Sequence, residues 1–228
     1  MEKLEPLFYL NLLVAKIFPA LSHDPQVIYA LTVVVILALL GWRIGRSLQT
    51  IPRGIQNFAE MCVQGLLEFM EGVMGHHARD HLPIIGSAAF LILLCNLLGL
   101  LPGFMSPTSN YNTTLAYALT IFIYYHYIGF KRHGVAYIKH FTGPIWWLAP
   151  LMVPIELIGH FARPLSLSVR LFGNISGEDL VIMILAFLIP FIVPLPMMFF
   201  AIFGSFIQTF VFCLLSMIYI AGAEEEAH

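Results

Sequence analysis

The sequence predicts an all-α polytopic membrane protein. Of its 228 residues, 59% are hydrophobic and only 11% are charged, and the mean hydropathy is +0.86. Soluble domains contain about 25% charged residues, so a chain this apolar is typical of a bilayer protein. We expect a single membrane domain with about five membrane-embedded helices and one amphipathic interfacial helix. The last two helices should form a long tilted hairpin.

The N-terminal part predicts an interfacial segment followed by the first span. Residues 1–22 are interrupted by polar residues and proline, so this segment is too broken to cross the bilayer. Residues 27–42 are continuously apolar and are followed by Arg43, Arg46 and Arg53. Because cytoplasmic loops are enriched in Lys and Arg, this loop should be cytoplasmic and the N-terminus outside.

Residues 54–75 predict a helix that lies in the interface instead of crossing it. One side of a helix drawn through them is apolar and the opposite side is polar, which is typical of interfacial helices. The polar side consists of Glu60, Gln64, Glu68 and Glu71. The histidines that follow, His76, His77 and His81, indicate a polar turn rather than a metal site, because no second ligand cluster is visible. We expect no metal and no cofactor.

Two further spans are predicted at residues 83–101 and 115–130. The first contains Asn96, which could form an interhelical hydrogen bond or belong to an ion path. The loop between the spans, residues 102–114, carries no charge. The second span returns to a basic cluster at residues 131–139, which agrees with the orientation given by the first basic loop.

Residues 144–222 form the longest apolar region, and two long helices or four short spans would both fit it. Either arrangement returns the C-terminus to the cytoplasm, where residues 223–228 form a polar tail. Prolines cluster at positions 190, 194 and 196, where a reversal of the chain would fall. A hairpin centred on Ile189 places Gln208 at the depth of Arg170.

Charged residues in this apolar region are few and regularly spaced. From residue 145 to 222 they are Glu156, Arg163, Arg170, Glu178 and Asp179. Each costs at least about 3 kcal/mol to insert, so a functional reason is expected. The first three are seven residues apart, which returns to within roughly 20° on a helix. Arg163 could pair with the acid two turns before it or extend toward the interface.

The order of these charges predicts an interrupted ion path. Carboxylates pass protons, whereas an arginine side chain does not, because its pKa stays above about 12. Two proton-accepting regions around Glu156 and around Glu178 and Asp179 are therefore separated by Arg170. An ion that reaches Arg170 must leave on another carrier, which we expect on a partner protein.

The motif Arg170-Leu-Phe-Gly-Asn174, preceded by PLSL at 164–167 and followed by EDL at 178–180, resembles the signature of the subunit a family of F-type ATP synthases. The runs CNLLGLLPG and FIQTFVFCLLSMIYI extend the resemblance to nearly the whole chain. It implies a membrane stator beside a rotating c-ring, with two offset half-channels and Arg170 as the essential residue facing the ring carboxylate. It also implies that Gln208 lies across the hairpin, and that other polar positions line the path. These are Asn174, Glu156 and Ser166.

The sequence departs from the family pattern in two places. Without a gap, the acidic position after the signature falls on Asp179, but Glu178 stands beside it. On a helix the two are roughly 80° and 180° from Arg170, so they cannot share one role. Some relatives hold a histidine where this chain has Ala201, and the outer relay must then use another group or water.

We therefore expect the proton-translocating stator subunit of a rotary ATP synthase in the bacterial inner membrane. The expected partners are the c-ring, the peripheral-stalk b subunits and lipid, but not nucleic acid, because no basic patch exists outside short loops. A free-standing secondary transporter and an intramembrane hydrolase are the alternatives. No Walker A, G-x-S-x-G or H-E-x-x-H motif occurs, so any ATP chemistry belongs to other subunits. The coupling ion is open between H⁺ and Na⁺, with H⁺ as the default.

Overall fold

The computed structural model describes residues 25–46, 48–101, 103–134, 137, 149–189 and 192–224. Within these ranges the secondary structure is helical, which confirms the predicted all-α fold. The segment 1–22 and the last four residues of the predicted tail lie outside the described residues. The described residues form six α-helices, which are α1 (Pro25–Arg46), α2 (Ile55–Met74), α3 (Ala78–Leu98), α4 (Tyr111–His133), α5 (Ala149–Leu188) and α6 (Pro194–Glu224).

Four helical stretches among the described residues are long and apolar enough to cross a membrane. They are Gln26–Arg46, Ile55–Leu98, Pro150–Leu188 and Pro194–Glu224. The second runs through both α2 and α3, because the 3₁₀ turn Gly75–His77 joins these helices with little interruption. The predicted span 115–130 lies within α4, whose tyrosines, threonines and histidine make it more polar than the other four stretches. These side chains are accommodated because α4 packs against α5 and α6.

The C-terminal apolar region forms two long helices, and this excludes the alternative of four short spans. α5 has 40 residues and α6 has 31, so they extend over about 60 Å and about 46 Å. They pack against each other along the chain reversal that follows Leu188. α6 begins at Pro194, because a proline at the first helical position has a suitable φ and lacks only an N–H that would stay unbonded there.

The core consists of two side-chain clusters, and α6 takes part in both. One cluster joins α2, α3, α4 and α6, and its fully buried members include Met70, Met217 and Ile220. The other joins α3, α4, α5 and α6 through Leu171 and Phe212, which are both 0% exposed. Since lipid is as apolar as these side chains, close packing rather than water exclusion holds the helices together.

α6 continues through the first two residues of the predicted polar tail and ends at Glu224. The Glu224 carboxylate is only 7% exposed and lies 2.8 Å from Arg132 on α4. It also lies 3.1 Å from Nε2 of His81 on α3. These partners keep the last turn of α6 in place. α3 likewise begins earlier than expected, at Ala78, so that Pro83 lies inside the helix instead of starting it.

Candidate functional site

Arg170 lies on the exposed side of α5, near the middle of the hairpin. Among the described residues it has no hydrogen-bond or ion-pair partner. Its neighbour Leu171 is fully buried against α6 and α3, so the backbone that carries the guanidinium is held in place. A fixed, accessible positive charge on a membrane-embedded helix indicates a partner of opposite charge outside the described part of the chain.

A hydrogen bond crosses the hairpin one helical turn beyond Arg170. Nδ2 of Asn174 donates to Oε1 of Gln208 at 2.6 Å. Gln208 is 4% exposed, so this side chain faces the interface between the two helices. The sequence placed Gln208 at the depth of Arg170, and the structure instead pairs it with Asn174.

The register of the hairpin explains this difference. Asn174 meets Gln208, Glu178 lies over Gly204, and Arg163 lies 5.4 Å from the ring centre of Tyr219. The midpoint of each pair along the chain is residue 191, whereas the expected midpoint was Ile189. The expected register was therefore wrong, and each residue of α5 lies level with the residue of α6 four positions beyond the expected one. The residue on α6 level with Arg170 is therefore Phe212, which is buried and apolar.

A polar cluster surrounds Glu156 at the end of α5 nearest its N-terminus. Its Oε1 lies 3.4 Å from Nε2 of His160 and 3.9 Å from Arg163. Nδ1 of His160 is in turn 2.9 Å from the hydroxyl of Tyr125 on α4. A cavity of about 340 Å³ opens beside these side chains and reaches Tyr219 on α6. Carboxylate, imidazole and phenol are thus within reach of water and of one another.

The structure also answers what Arg163 and the two histidines contact. Arg163 pairs with Glu156 and does not simply extend to the interface. The ring of His126 lies 5.1 Å from that of His160, and its Nδ1 is 3.0 Å from the hydroxyl of Tyr137. Neither histidine stands out in the sequence, and the signal that points to them is the tyrosine-rich run around His126.

A second group of carboxylates lies beyond Asn174 on α5. The side chain of Glu178 lies over Gly204 of α6, where an added Cβ would force the carboxylate to shift. Asp179 is partly buried on a different side of α5. Ala201, where some relatives hold a histidine, is 1% exposed and accepts a 2.8 Å hydrogen bond from Ser205 at its carbonyl. Glu178 therefore faces α6, and Asp179 does not share that position.

Asn96 belongs to a separate polar cluster beneath the loop that precedes α4. Its Oδ1 accepts a 2.6 Å hydrogen bond from Thr108, which is 2.7 Å from the hydroxyl of Ser106. Nδ2 of Asn96 is buried without a hydrogen-bond partner in the described part of the chain. The loop is tied to α5 because Ser176 donates to the carbonyl of Ser109 at 3.1 Å. No hydrogen bond among the described residues joins Asn96 to Glu178 or Asp179.

Ser166 and the turn that contains the histidines show no contacts of a ligand site among the described residues. Ser166 is exposed on α5, and no contact of its hydroxyl is seen among the described residues. His81 is buried between Tyr124 and Glu224. No group of three or more His, Cys, Asp or Glu side chains in the described ranges is arranged to hold a metal ion.

Comparison with known proteins gives a consistent result over almost the full length. Residues 27–221 match the family model of the ATP synthase A chain. The chain is 51% identical over 227 residues to ATP synthase subunit a of Trichlorobacter lovleyi, covering 98% of this chain and 99% of that protein. It is 50% identical over 236 residues to ATP synthase subunit a of Syntrophobacter fumaroxidans, with the same coverage of both chains. Against the subunit a of Geobacter sulfurreducens the identity is 50% over 200 residues, or 88% of this chain and 87% of that one.

Proposed function

The chain belongs to the ATP synthase A chain family. On that premise, we propose that it is the proton-translocating stator subunit of a rotary ATP synthase. In this proposal it forms two half-channels that are separated by Arg170. One observation carries the proposal. Arg170 is exposed without a partner among the described residues, and polar clusters lie on both sides of it along α5. The rotating c-ring supplies the missing carboxylate.

Arg170 acts on the ring carboxylate through its charge. A carboxyl group that travels through lipid must be neutral, because desolvation raises its pKa by several units. Opposite a guanidinium at about 4 Å, with an effective dielectric of about 20, the charged form gains on the order of 4 kcal/mol. This corresponds to roughly three pKa units, which is enough to release the proton. The same charge repels a proton that would cross directly between the half-channels.

The half-channel on the side of the basic loops begins at the cavity beside Glu156. Water in a cavity of about 340 Å³ would reach the pair formed by Glu156 and His160. Arg163 keeps the carboxylate close to this cavity, since the two charges are 3.9 Å apart. Tyr125 positions the imidazole through its hydroxyl. Protons would pass between this cavity and the ring carboxylate.

The second half-channel uses Glu178 rather than Asp179 as its carboxylate. Arg170, Asn174 and Glu178 follow one another at four-residue spacing, so each lies about 40° further around the same side of α5. Asn174 and Glu178 both face α6, at Gln208 and Gly204. The polar cluster of Asn96 and Thr108 lies beneath the loop before α4, through which water would approach this half-channel. This assignment differs from the ungapped family alignment, which selects Asp179.

The orientation and partners follow from the same proposal. The basic loops after α1 and α4 face the cytoplasm of a bacterial cell, and the N-terminus lies outside. The c-ring faces the exposed side of α5 around Arg170, and peripheral-stalk b subunits contact the chain elsewhere. H⁺ is the coupling ion.

Reconstitution distinguishes this function from that of a free-standing transporter. The purified chain alone and the complete ATP synthase would be placed in liposomes, and proton flux would be followed with a pH-sensitive dye. We expect flux coupled to ATP synthesis only from the complete complex that contains the ring. Saturable ion transport by the chain alone would instead favour the transporter.

A further inference from the structure

A cavity of about 400 Å³ lies at the C-terminal end of α1, far along the chain from the carboxylates of α5. It is formed by the last turn of α1, the connecting segment and the first turn of α2. Its polar lining consists of Arg43, Gln49, Arg53 and Gln56. Its apolar lining consists of Leu40, Ile44 and Ile55. A cavity with a cationic part and an apolar part suits an amphipathic ligand.

The walls of this cavity are held by a reciprocal hydrogen-bonded pair. The backbone N–H of Gln49 donates to Oε1 of Gln56 at 3.1 Å, and Nε2 of Gln56 donates back to the carbonyl of Gln49 at 3.0 Å. Nε2 of Gln56 also donates to Glu60 at 2.8 Å. Gln56 is only 8% exposed. The segment that carries Arg53 is therefore held against the start of α2.

The charge around the cavity is positive. From residue 25 to residue 59 the chain contains three arginines and no aspartate or glutamate. Two of these arginines, Arg43 and Arg53, line the cavity, and the third, Arg46, lies 3.9 Å from the ring centre of Trp42. No aspartate or glutamate is among the described residues that line the cavity. An anion is thus the complementary occupant.

The position of α1 indicates which anion. α1 is long and apolar enough to span a bilayer, so its arginine-bearing end lies where the hydrocarbon region meets the headgroups. The apolar side of the helix below the cavity is exposed, including Leu39 and Leu40, and acyl chains could lie along it. Guanidinium groups bind phosphate oxygens in a bidentate manner. Basic pockets between membrane helices are known to take lipid headgroups of this kind.

We propose that this cavity binds the phosphate headgroup of an anionic phospholipid from the leaflet on the side of the basic loops. The lipid would join the end of α1 to the start of α2. The inference needs only that α1 is embedded in the bilayer, and it is independent of the role of Arg170.

Native mass spectrometry of the full chain tests the proposal. The protein would be titrated in detergent with phosphatidylglycerol or phosphatidylcholine, and the number of retained lipids would be counted. We expect one tightly retained phosphatidylglycerol at concentrations where phosphatidylcholine is not retained. Equal retention of both lipids by the wild-type chain would overturn the proposal without any variant being needed.

Paired variants locate the site. The double substitution R43Q/R53Q should weaken phosphatidylglycerol binding by about thirtyfold, since each arginine near a membrane surface contributes about fivefold. R46Q is the control, because it removes one positive charge close to Arg43 from a residue that does not line the cavity. Its effect should be less than about twofold, because the cavity lining is unchanged. An equal loss per arginine in both variants would show nonspecific surface attraction instead.

Competition distinguishes the lipid from a free anion. Inorganic phosphate would be added to the phosphatidylglycerol complex of the wild-type chain. We expect the lipid to be retained at millimolar phosphate, because the acyl chains also contribute to binding. Displacement of the lipid by an equal concentration of phosphate would overturn the assignment to a phospholipid.

Discussion

Asn174 of α5 and Gln208 of α6 are joined by a 2.6 Å hydrogen bond, although 34 residues separate them along the chain. Glu178 and Gly204 meet in the same register one turn further on. Together these pairs fix how the two long helices are aligned. They also place Arg170 level with the apolar Phe212 instead of with an amide partner. The guanidinium is therefore left for a group outside the hairpin.

Cysteine cross-linking tests this register. In a chain without the three native cysteines, Asn174→Cys with Gln208→Cys should form a disulfide faster than Arg170→Cys with Gln208→Cys. The reason is that residues 174 and 208 face each other, whereas residue 170 lies about 6 Å further along the helix axis. The measurement is the rate of intramolecular cross-linking on non-reducing gels. A faster 170–208 reaction would restore the hairpin centre expected from the sequence.

The fold was largely predictable because apolar runs and prolines are local signals. The spans, the amphipathic helix and the long hairpin follow from such runs, and Pro194 marks the start of α6. The register was not predictable, because the centre of the reversal depends on how many residues the turn takes up between Leu188 and Pro194. Local patterns fix helix ends only to within a few residues. A shift of two residues at the turn moves every pairing along the hairpin.

The candidate site was predictable only where a motif or the regular spacing of charges indicated it. Arg170, Asn174 and Gln208 belong to short runs that resemble a family signature. The pair of His81 with Glu224 spans 143 residues, and neither residue has a neighbour in sequence that indicates the other. The contact of His160 with Tyr125 likewise links α5 to α4. Such long-range pairs depend on packing, which local composition does not determine.

Topology is tested by labelling two exposed positions. Thr50→Cys lies in the basic connection after α1, and Asn112→Cys lies at the start of α4. In a chain without native cysteines, impermeant thiol reagents should reach them from opposite faces, with Thr50→Cys on the cytoplasmic side. Intact cells and inverted vesicles provide the two faces. Labelling of both positions from one face would contradict the proposed number of crossings.

Glu178 and Asp179 are distinguished by their effects on ion flux. Because Glu178 faces α6 on the same side as Asn174, Glu178→Ala should reduce proton-driven ATP synthesis at least about tenfold, more than Asp179→Ala. Gly204→Ala should lower the rate as well, since the added methyl group collides with the Glu178 carboxylate. Gly65→Ala on α2 is the matched control, because its Cβ would meet open space. A larger effect from Asp179→Ala would support the ungapped alignment.

The buried carboxylate at the end of α6 should contribute to stability. Glu224→Ala leaves Arg132 and His81 without their shared acid, and because the Arg132 side chain is 35% exposed, we expect a loss of about 1.5–3 kcal/mol, less than for a fully buried pair. The expected result is a clear fall in the unfolding temperature of the detergent-solubilised chain. The matched control is Glu68→Ala on the exposed side of α2, which should change stability by no more than about 0.5 kcal/mol.

A double-mutant cycle tests whether that loss comes from the ion pair. If Glu224 acts through Arg132, the combined variant Glu224→Ala with Arg132→Ala should lose less stability than the two single losses added together. Strict additivity would show that the two residues act independently, in spite of their 2.8 Å separation.

Arg170 provides the most direct test of the half-channel mechanism. Arg170→Ala removes the charge that ionises the ring carboxylate, so proton-driven ATP synthesis should be abolished while the complex stays assembled. Passive proton leak should rise, because nothing then repels a proton that crosses between the two clusters. Arg170→Lys keeps a charge but lacks the planar fork and can lose its proton when buried, so we expect severe loss with less leak. Val169→Ala, which changes the adjacent exposed residue without a change in charge, is the control. Normal ATP-driven proton pumping by the alanine variant in inverted vesicles would exclude a role for Arg170 in separating the half-channels.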